Sequence, residues 1–214
     1  MRPFFGIQPA ILDEQGSEII GEGSGTLVMK GSWPSIMRDL WGEHNRYLDI
    51  YFKPYPGYYL TGDGAEYDES GNIRVTGRID DAMNISGHLI GTAEIESALI
   101  LHSSVAEAAV VGIPHERKGE SIIAFVILKI GTEETDLLIE EMIGFVTKQV
   151  GSFAKPDRIE VVPALPKTRS GKIMRRLLRK IAIGETDTLG DISTLADSGV
   201  IDAIMNSRKN HVTR

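Results

Sequence analysis

Apolar and polar positions divide the chain into two patterns that meet near residue 80. In the second half, Val105–Ile113 and Ser121–Ile130 are runs rich in β-branched residues and predict strands, with Pro114 between them in a polar turn. Ala82–Ser86 and Arg158–Val162 predict two more strands. Thr92–His102 predicts a helix, with Thr92 as its N-cap and Glu94 and Glu96 near the positive end of its dipole. Asp136–Val150 places Leu138, Met142, Phe145 and Val146 at helical spacing, and Lys172–Ile181 predicts a basic helix behind the loop Pro163–Gly171. The order β-α-β-β-α-β-α predicts an α+β domain with helices on a short sheet. The polar tail Gly184–Arg214 predicts surface wrapping or fraying ends.

The first half is turn-rich. Phe4–Leu12 and Thr26–Lys30 predict short strands, and the glycines of Gly21–Gly25 predict a turn, because no helix opens behind them to cradle a phosphate. Ile36, Leu40 and Trp41, then Tyr47, Leu48, Tyr51 and Phe52, recur at helical spacing and predict core packing. A strand-like run through Tyr58 is followed by a hairpin over Ala65–Thr76, turning at Ser70-Gly71-Asn72.

Three stretches carry candidate chemistry. Asp63 lies between Gly62 and Gly64, where a carboxylate can accept two sugar hydroxyls and the glycines permit close approach. Thr76–Glu96 concentrates glycine around Arg78, the acid pair Asp80-Asp81 and Ser86-Gly87-His88, a pattern that suits a swivel followed by exposed backbone. Pro166–Lys172 ends in Gly171-Lys172, yet Pro166 stands at the first glycine of a phosphate loop and Ile173 at its hydroxyl residue, so it is no Walker motif. A lysine on a flexible, proline-guarded loop can serve a neighbouring site as a mobile point charge. Arg175, Arg176, Arg179 and Lys180 behind it read as a solvated helix face rather than a nucleic-acid surface.

Composition narrows the classes. At 214 residues the chain suffices for one or two domains, and 42% hydrophobic with 25% charged residues is ordinary for a globular protein. A net charge of −7 argues against nucleic acid or an anionic membrane as the partner. With no cysteine, thiolate catalysis and Cys-ligated metals are excluded. The opening residues do not read as a signal peptide, and the longest apolar run, Ile122–Leu128, is far short of the roughly 20 residues of a membrane span. A cytoplasmic location is expected.

Together, YLTGDGAEYDESGNIRVTGRIDDAMNISGHLIGTAEIESAL, AEAAVVGIPHERKGE and LPKTRSGKIMRRLLRKIA resemble the C-terminal third of AMP-forming acetyl-CoA synthetases, members of the acyl-adenylate-forming superfamily. The resemblance implies that residues 1–79 are the last, incomplete subdomain of a large AMP-binding domain. Residues 80–81 would be a hinge, 82–183 a mobile C-terminal domain and 184–214 a tail. It implies that Asp63 and Arg78 hold the ribose of ATP or AMP, that Asp80 is the hinge, and that Ser86 and Gly87 line the CoA approach. Lys172 would contact the acyl carboxylate and α-phosphate during adenylation, and would be the target of a lysine acetyltransferase and deacetylase. Acetate, ATP with Mg²⁺, and CoA are the implied substrates, with a missing N-terminal domain as partner and the chain inactive alone.

A cation site implied around Ile100, His102 and Val105 could use Ile and Val only through carbonyls, and a histidine near a helix end also serves as a capping charge. Two positions depart from the family. Leu89 stands where an arginine is expected to meet ATP, and Thr147 where one meets a CoA phosphate. Each lost charge-assisted hydrogen bond is about 1.5–3 kcal/mol, or roughly 10- to 150-fold in affinity. Lys148 is a poor substitute, since one helical step turns a side chain by about 100°. These losses keep a second expectation open, that of a non-catalytic nucleotide- or CoA-binding module with the same fold.

Overall fold

The computed structural model describes residues 1–86, 88–186, 189–190 and 192–212. The chain divides into two compact units, Met1–Asp80 and Asp81–Arg214.

In the first unit, β1 (Gln8–Leu12), β2 (Gly23–Lys30), β3 (Tyr58–Tyr67) and β4 (Ile73–Arg78) form an antiparallel meander in chain order. Alternation along the strands sends Ile11, Leu27, Ala65 and Ile73 to one buried cluster and Ala10, Leu12 and Val28 to another. The ladder is interrupted between Leu27 and Val28 and between Gly64 and Ala65, so β3 bends beside Asp63. Of the residues at helical spacing between Ile36 and Phe52, only the stretch His44–Tyr51 becomes helix (α1). Pro34 disfavours helical backbone at Trp33, and Gly42 takes a left-handed φ of 72° that interrupts the spiral before α1. Tyr47 is buried and Tyr51 stacks on Tyr59 at 5.1 Å, but Trp41, expected in the core, is fully exposed.

The second unit is a five-stranded sheet ordered β6 (His88–Gly91), β5 (Ala82–Ile85), β8 (Gly119–Leu128) and β7 (Val105–His115), with β9 (Arg158–Val161) parallel to β8. Helices α2 (Thr92–Leu101) and α3 (Asp136–Val150) supply Ile95, Leu99, Met142 and Val146 to a core with Val110 and Ile122. Helices α4 (Arg175–Ile183) and α5 (Gly199–Val212) supply Leu177, Ile181 and Ile204 to a second core, with Ala109 and Phe125 from the opposite sheet face. Burial on both faces explains why β7 and β8 read as near-continuous apolar runs.

Several local expectations change. Pro114 lies inside β7 opposite Glu120, not in the turn. β7 is at the end of the main strand order, where proline's missing N–H need not break a ladder. Gly91, not Thr92, is the N-cap of α2, while Thr135 caps α3 by accepting the Leu138 N–H at 3.2 Å. The tail forms α5, whose Ile201 and Ile204 are buried. Among the described residues no helix is long and apolar enough to cross a membrane.

Candidate functional site

In the first unit the β3–β4 register brings Asp63 opposite Arg78. Arg78 Nη1 lies 3.7 Å from Asp63 Oδ1 and donates to the Thr61 carbonyl at 3.3 Å, while Nε donates to Asp80 Oδ1 at 2.9 Å. Gly62 makes this possible. Its φ is 79°, and a Cβ there would fall 2.8–3.0 Å from the guanidinium atoms. Arg78 is thereby held over bare backbone, and the Asp63 carboxylate, too far for a tight hydrogen bond with it, keeps acceptor capacity for hydroxyls. Asp80 belongs to the three-residue 3₁₀ turn Ile79–Asp81, with its side chain 71% exposed. No strand or α-helix holds it.

In the second unit β5 is followed by Ser86, which has a φ of 54° and is the one non-glycine residue with positive φ among those described. Strained backbone of this kind collects at functional sites. The Ser86 N–H donates to the Lys118 carbonyl at 2.8 Å, and Ser86 lines a groove of about 400 Å³ with Lys118, Ile143, Phe153, Lys155 and Asp157. Gly87 lies outside the described residues.

Lys172 ends a tight turn. The Gly171 N–H donates to the Thr168 carbonyl at 2.8 Å, and the Lys172 N–H to Thr168 Oγ1 at 3.1 Å. Its side chain is exposed, with no ion pair or hydrogen bond among the described residues. The loop is less free than its prolines and glycine suggest. Met174 N–H donates back to the Pro166 carbonyl at 2.8 Å, and Lys167 Nζ lies 2.6 Å from Glu107.

Arg175, expected on a solvated face, is instead clamped to Glu96. Its Nε and Nη2 donate to Glu96 Oε1 at 3.0 and 2.8 Å, and Nη2 to Oε2 at 2.6 Å. Glu96, expected near a helix dipole, is 8% exposed and also accepts the Val110 N–H at 2.8 Å. Burial works against the Arg175 charge, but the Glu96 hydrogen bonds and the Asp81 carboxylate at 3.7 Å raise its pKa. The one local hint was an acid among the apolar residues of α2.

Residues 94–172 match the AMP-binding enzyme C-terminal domain family. Over 209 residues, 98% of the chain is 60% identical to acetyl-coenzyme A synthetase 2 of Pseudomonas aeruginosa. Acetyl-coenzyme A synthetase of Saccharophagus degradans is 55% identical over 97% of the chain. These curated relatives are acetyl-coenzyme A synthetases. The chain spans about a third (32%) of the length of these curated relatives, as their C-terminal portion. Among solved structures, the anthranilate CoA ligase AuaEII in complex with anthranoyl-AMP aligns with a TM-score of 0.74 at 27% identity, over 86% of this chain and 35% of its own. The amide bond synthetase McbA of Marinactinospora thermotolerans aligns at 0.73 and 26% identity, over 84% and 35%.

Thr147, half-buried on α3, donates its hydroxyl to the Ile143 carbonyl one turn back at 2.8 Å, so the group is committed to its own helix. The side chain of Leu89 lies outside the described part. Ile100 is half-exposed on α2, while His102 and Val105 are buried past its end. His102 Nδ1 accepts the Ser104 N–H at 3.3 Å and Nε2 faces Glu141 at 3.4 Å, with the Phe145 ring edge-on at 5.3 Å. Both ring nitrogens are engaged, so in this arrangement the imidazole offers no free lone pair to a cation. Among the described residues no cluster of three or more His, Cys, Asp or Glu suits a metal.

Proposed function

We propose that this chain is the C-terminal portion of an acetate–CoA ligase. In the whole enzyme, an acetate oxygen attacks the α-phosphorus of ATP, expelling pyrophosphate and leaving acetyl-adenylate. The CoA thiol then attacks the acetyl carbon, AMP departs with the bonding pair, and the thiol proton is lost to solvent. The observation that carries this reading is the 60% identity sustained over 98% of the chain.

Each residue takes a role its surroundings suit. Asp63 accepts the ribose hydroxyls and Arg78, held by Thr61 and Asp80, steadies the same sugar. Lys172 approaches the carboxylate and α-phosphate and offsets their negative charge as the new bond forms. Asp80, on an exposed 3₁₀ turn, is the hinge between the two half-reactions, and Ser86 with Gly87 shields the pantetheine arm. Mg²⁺ accompanies ATP as part of the substrate. Acetylation of Lys172 by an acetyltransferase would remove its charge and stop adenylation, and a deacetylase would restore it. The enzyme is assigned to the cytoplasm, and the isolated chain to an inactive state.

The test joins this chain to the N-terminal two thirds of the Pseudomonas aeruginosa acetyl-coenzyme A synthetase 2. Acetate-dependent ATP–pyrophosphate exchange and CoA-dependent AMP release should both appear, and Lys172→Ala should abolish exchange. A folded chimera without either activity overturns the proposal. A second reading, a non-catalytic nucleotide- or CoA-binding module, draws on the committed Thr147 hydroxyl and predicts a folded chimera that binds without turnover.

A further inference from the structure

The segment after α4 does more than cover surface. Between α4 and α5, Thr194–Ala196 runs against the loop that ends in Lys172, with Thr168 and Leu195 in an antiparallel bridge. The Arg169 N–H donates to the Thr194 carbonyl at 3.2 Å, and the Ala196 N–H to the Lys167 carbonyl at 2.9 Å. Leu195 between them is buried in the core that α4 shares with Phe125, and Ile201 and Ile204 of α5 anchor the same segment farther on. By contrast, Ser170, Gly171 and Lys172 are exposed, and their turn adds no apolar side chain to the core.

We propose that Thr194–Ala196 is a strap, anchored by Leu195, that positions the Lys172 loop for the adenylate-forming half-reaction. The argument is mechanical. A lysine that must meet a carboxylate and a phosphate together gains only if its backbone is already in place, since an error of about 1 Å at a reacting centre can cost on the order of 100-fold in rate. The loop's own turn fixes Thr168 relative to Lys172, and the Lys167–Glu107 ion pair ties the loop's base to β7 by one side-chain contact. The strap adds a main-chain constraint through two backbone hydrogen bonds flanking Thr168, tied to a buried side chain. Thr194–Ala196 therefore acts through Lys172 and touches no substrate. The catalytic part of this proposal rests on the role given to Lys172 above.

The test uses the reconstituted enzyme. Ala196→Pro deletes the Ala196 N–H at an exposed position and leaves Leu195 in place. Leu195→Ala removes the anchor, and Leu195→Met keeps it. In Ala196→Pro and Leu195→Ala, amide hydrogen exchange at Arg169, Gly171 and Lys172 should accelerate by roughly 5- to 10-fold or more, the effect of one lost hydrogen bond. Pyrophosphate exchange should fall by about 10- to 100-fold. Consumption of preformed acetyl-adenylate by CoA should be unchanged, and Leu195→Met should behave as wild type in all three measurements. That half-reaction also reports folding, since a misfolded variant would lose it. Unchanged protection of the loop amides in Ala196→Pro overturns the strap. Faster loop exchange with full adenylation overturns its positioning role, provided Lys172→Ala is inactive. If Lys172→Ala itself adenylates normally, the Lys172 assignment falls, and the amide data still decide whether the strap exists.

Discussion

Arg175 and Glu96 stand 79 positions apart in the chain, yet Arg175 Nη2 lies 2.6 Å from Glu96 Oε2. The pair fastens α4, which follows the Lys172 loop, to α2, and Glu96 carries the connection on to the backbone of Val110 in β7. It thereby ties a helix from each face of the sheet to one carboxylate.

Removing one partner of such a pair leaves a largely buried charge without compensation. Glu96→Ala should therefore destabilise the second unit by about 3 kcal/mol. Urea denaturation of the single variants and of Glu96→Ala/Arg175→Met would measure it. The double variant should recover part of the loss, because no lone charge remains.

Gly62 should tolerate no side chain. Gly62→Ala places a Cβ 2.8–3.0 Å from the Arg78 guanidinium at a φ of 79°, and about 1–3 kcal/mol of strain is expected. Arg78 must move, so AMP affinity of the reconstituted enzyme should drop roughly tenfold, as for one lost charge-assisted hydrogen bond. Calorimetric titration with AMP reads this directly.

Acid sensitivity should depend on Asp157. Burial alone would raise its pKa, but the Lys118 ammonium and the Ile122 N–H at 2.9 Å outweigh burial and hold it below the usual aspartate value. A carboxyl depressed in the folded state adds stability above its unfolded pKa of about 4, and that stability is lost as pH falls through the folded value. Asp157→Asn should lower stability by about 1.5 kcal/mol at neutral pH and flatten the decline below about pH 4. Thermal melting across pH 2.5–7 (roughly the range that brackets an aspartate) would reveal both.

Thr147→Arg should restore what its neighbours on α3 cannot supply. With the threonine hydroxyl bound to Ile143, nothing useful for CoA is lost in the exchange. The Michaelis constant for CoA should fall roughly 10- to 150-fold with pyrophosphate exchange unaffected, the range for one phosphate hydrogen bond from arginine. An unchanged CoA dependence would place the phosphate elsewhere.

Local patterns made much of this molecule legible. The apolar runs of β7 and β8 announced strands, because residues buried on both faces must be apolar at every step. The spacing of Leu138, Met142 and Val146 announced α3 for the same kind of reason. Glycine marked Gly62 and the turn at Gly71, where φ is positive. Less was legible where a distant partner decides. The helical spacing around Trp41 predicted a core position, but among the described residues that ring is fully exposed. The tail looked polar because α5 turns Ile201 and Ile204 to the core while Asp202 and Asn206 beside them stay exposed.

The amino-acid order by itself determined most element types in both halves, β6 and the tail helix α5 excepted, together with the motif around Asp63 and Arg78 and the turn that carries Lys172. All are written in residues a few positions apart, where backbone preference and side-chain period act directly. Only the tertiary structure decided that Pro114 lies within an outer strand, that Arg175 meets Glu96, and that Thr194–Ala196 lies against the Lys172 loop. Those outcomes depend on which surfaces meet when two cores close on opposite faces of one sheet, and no local period encodes that choice.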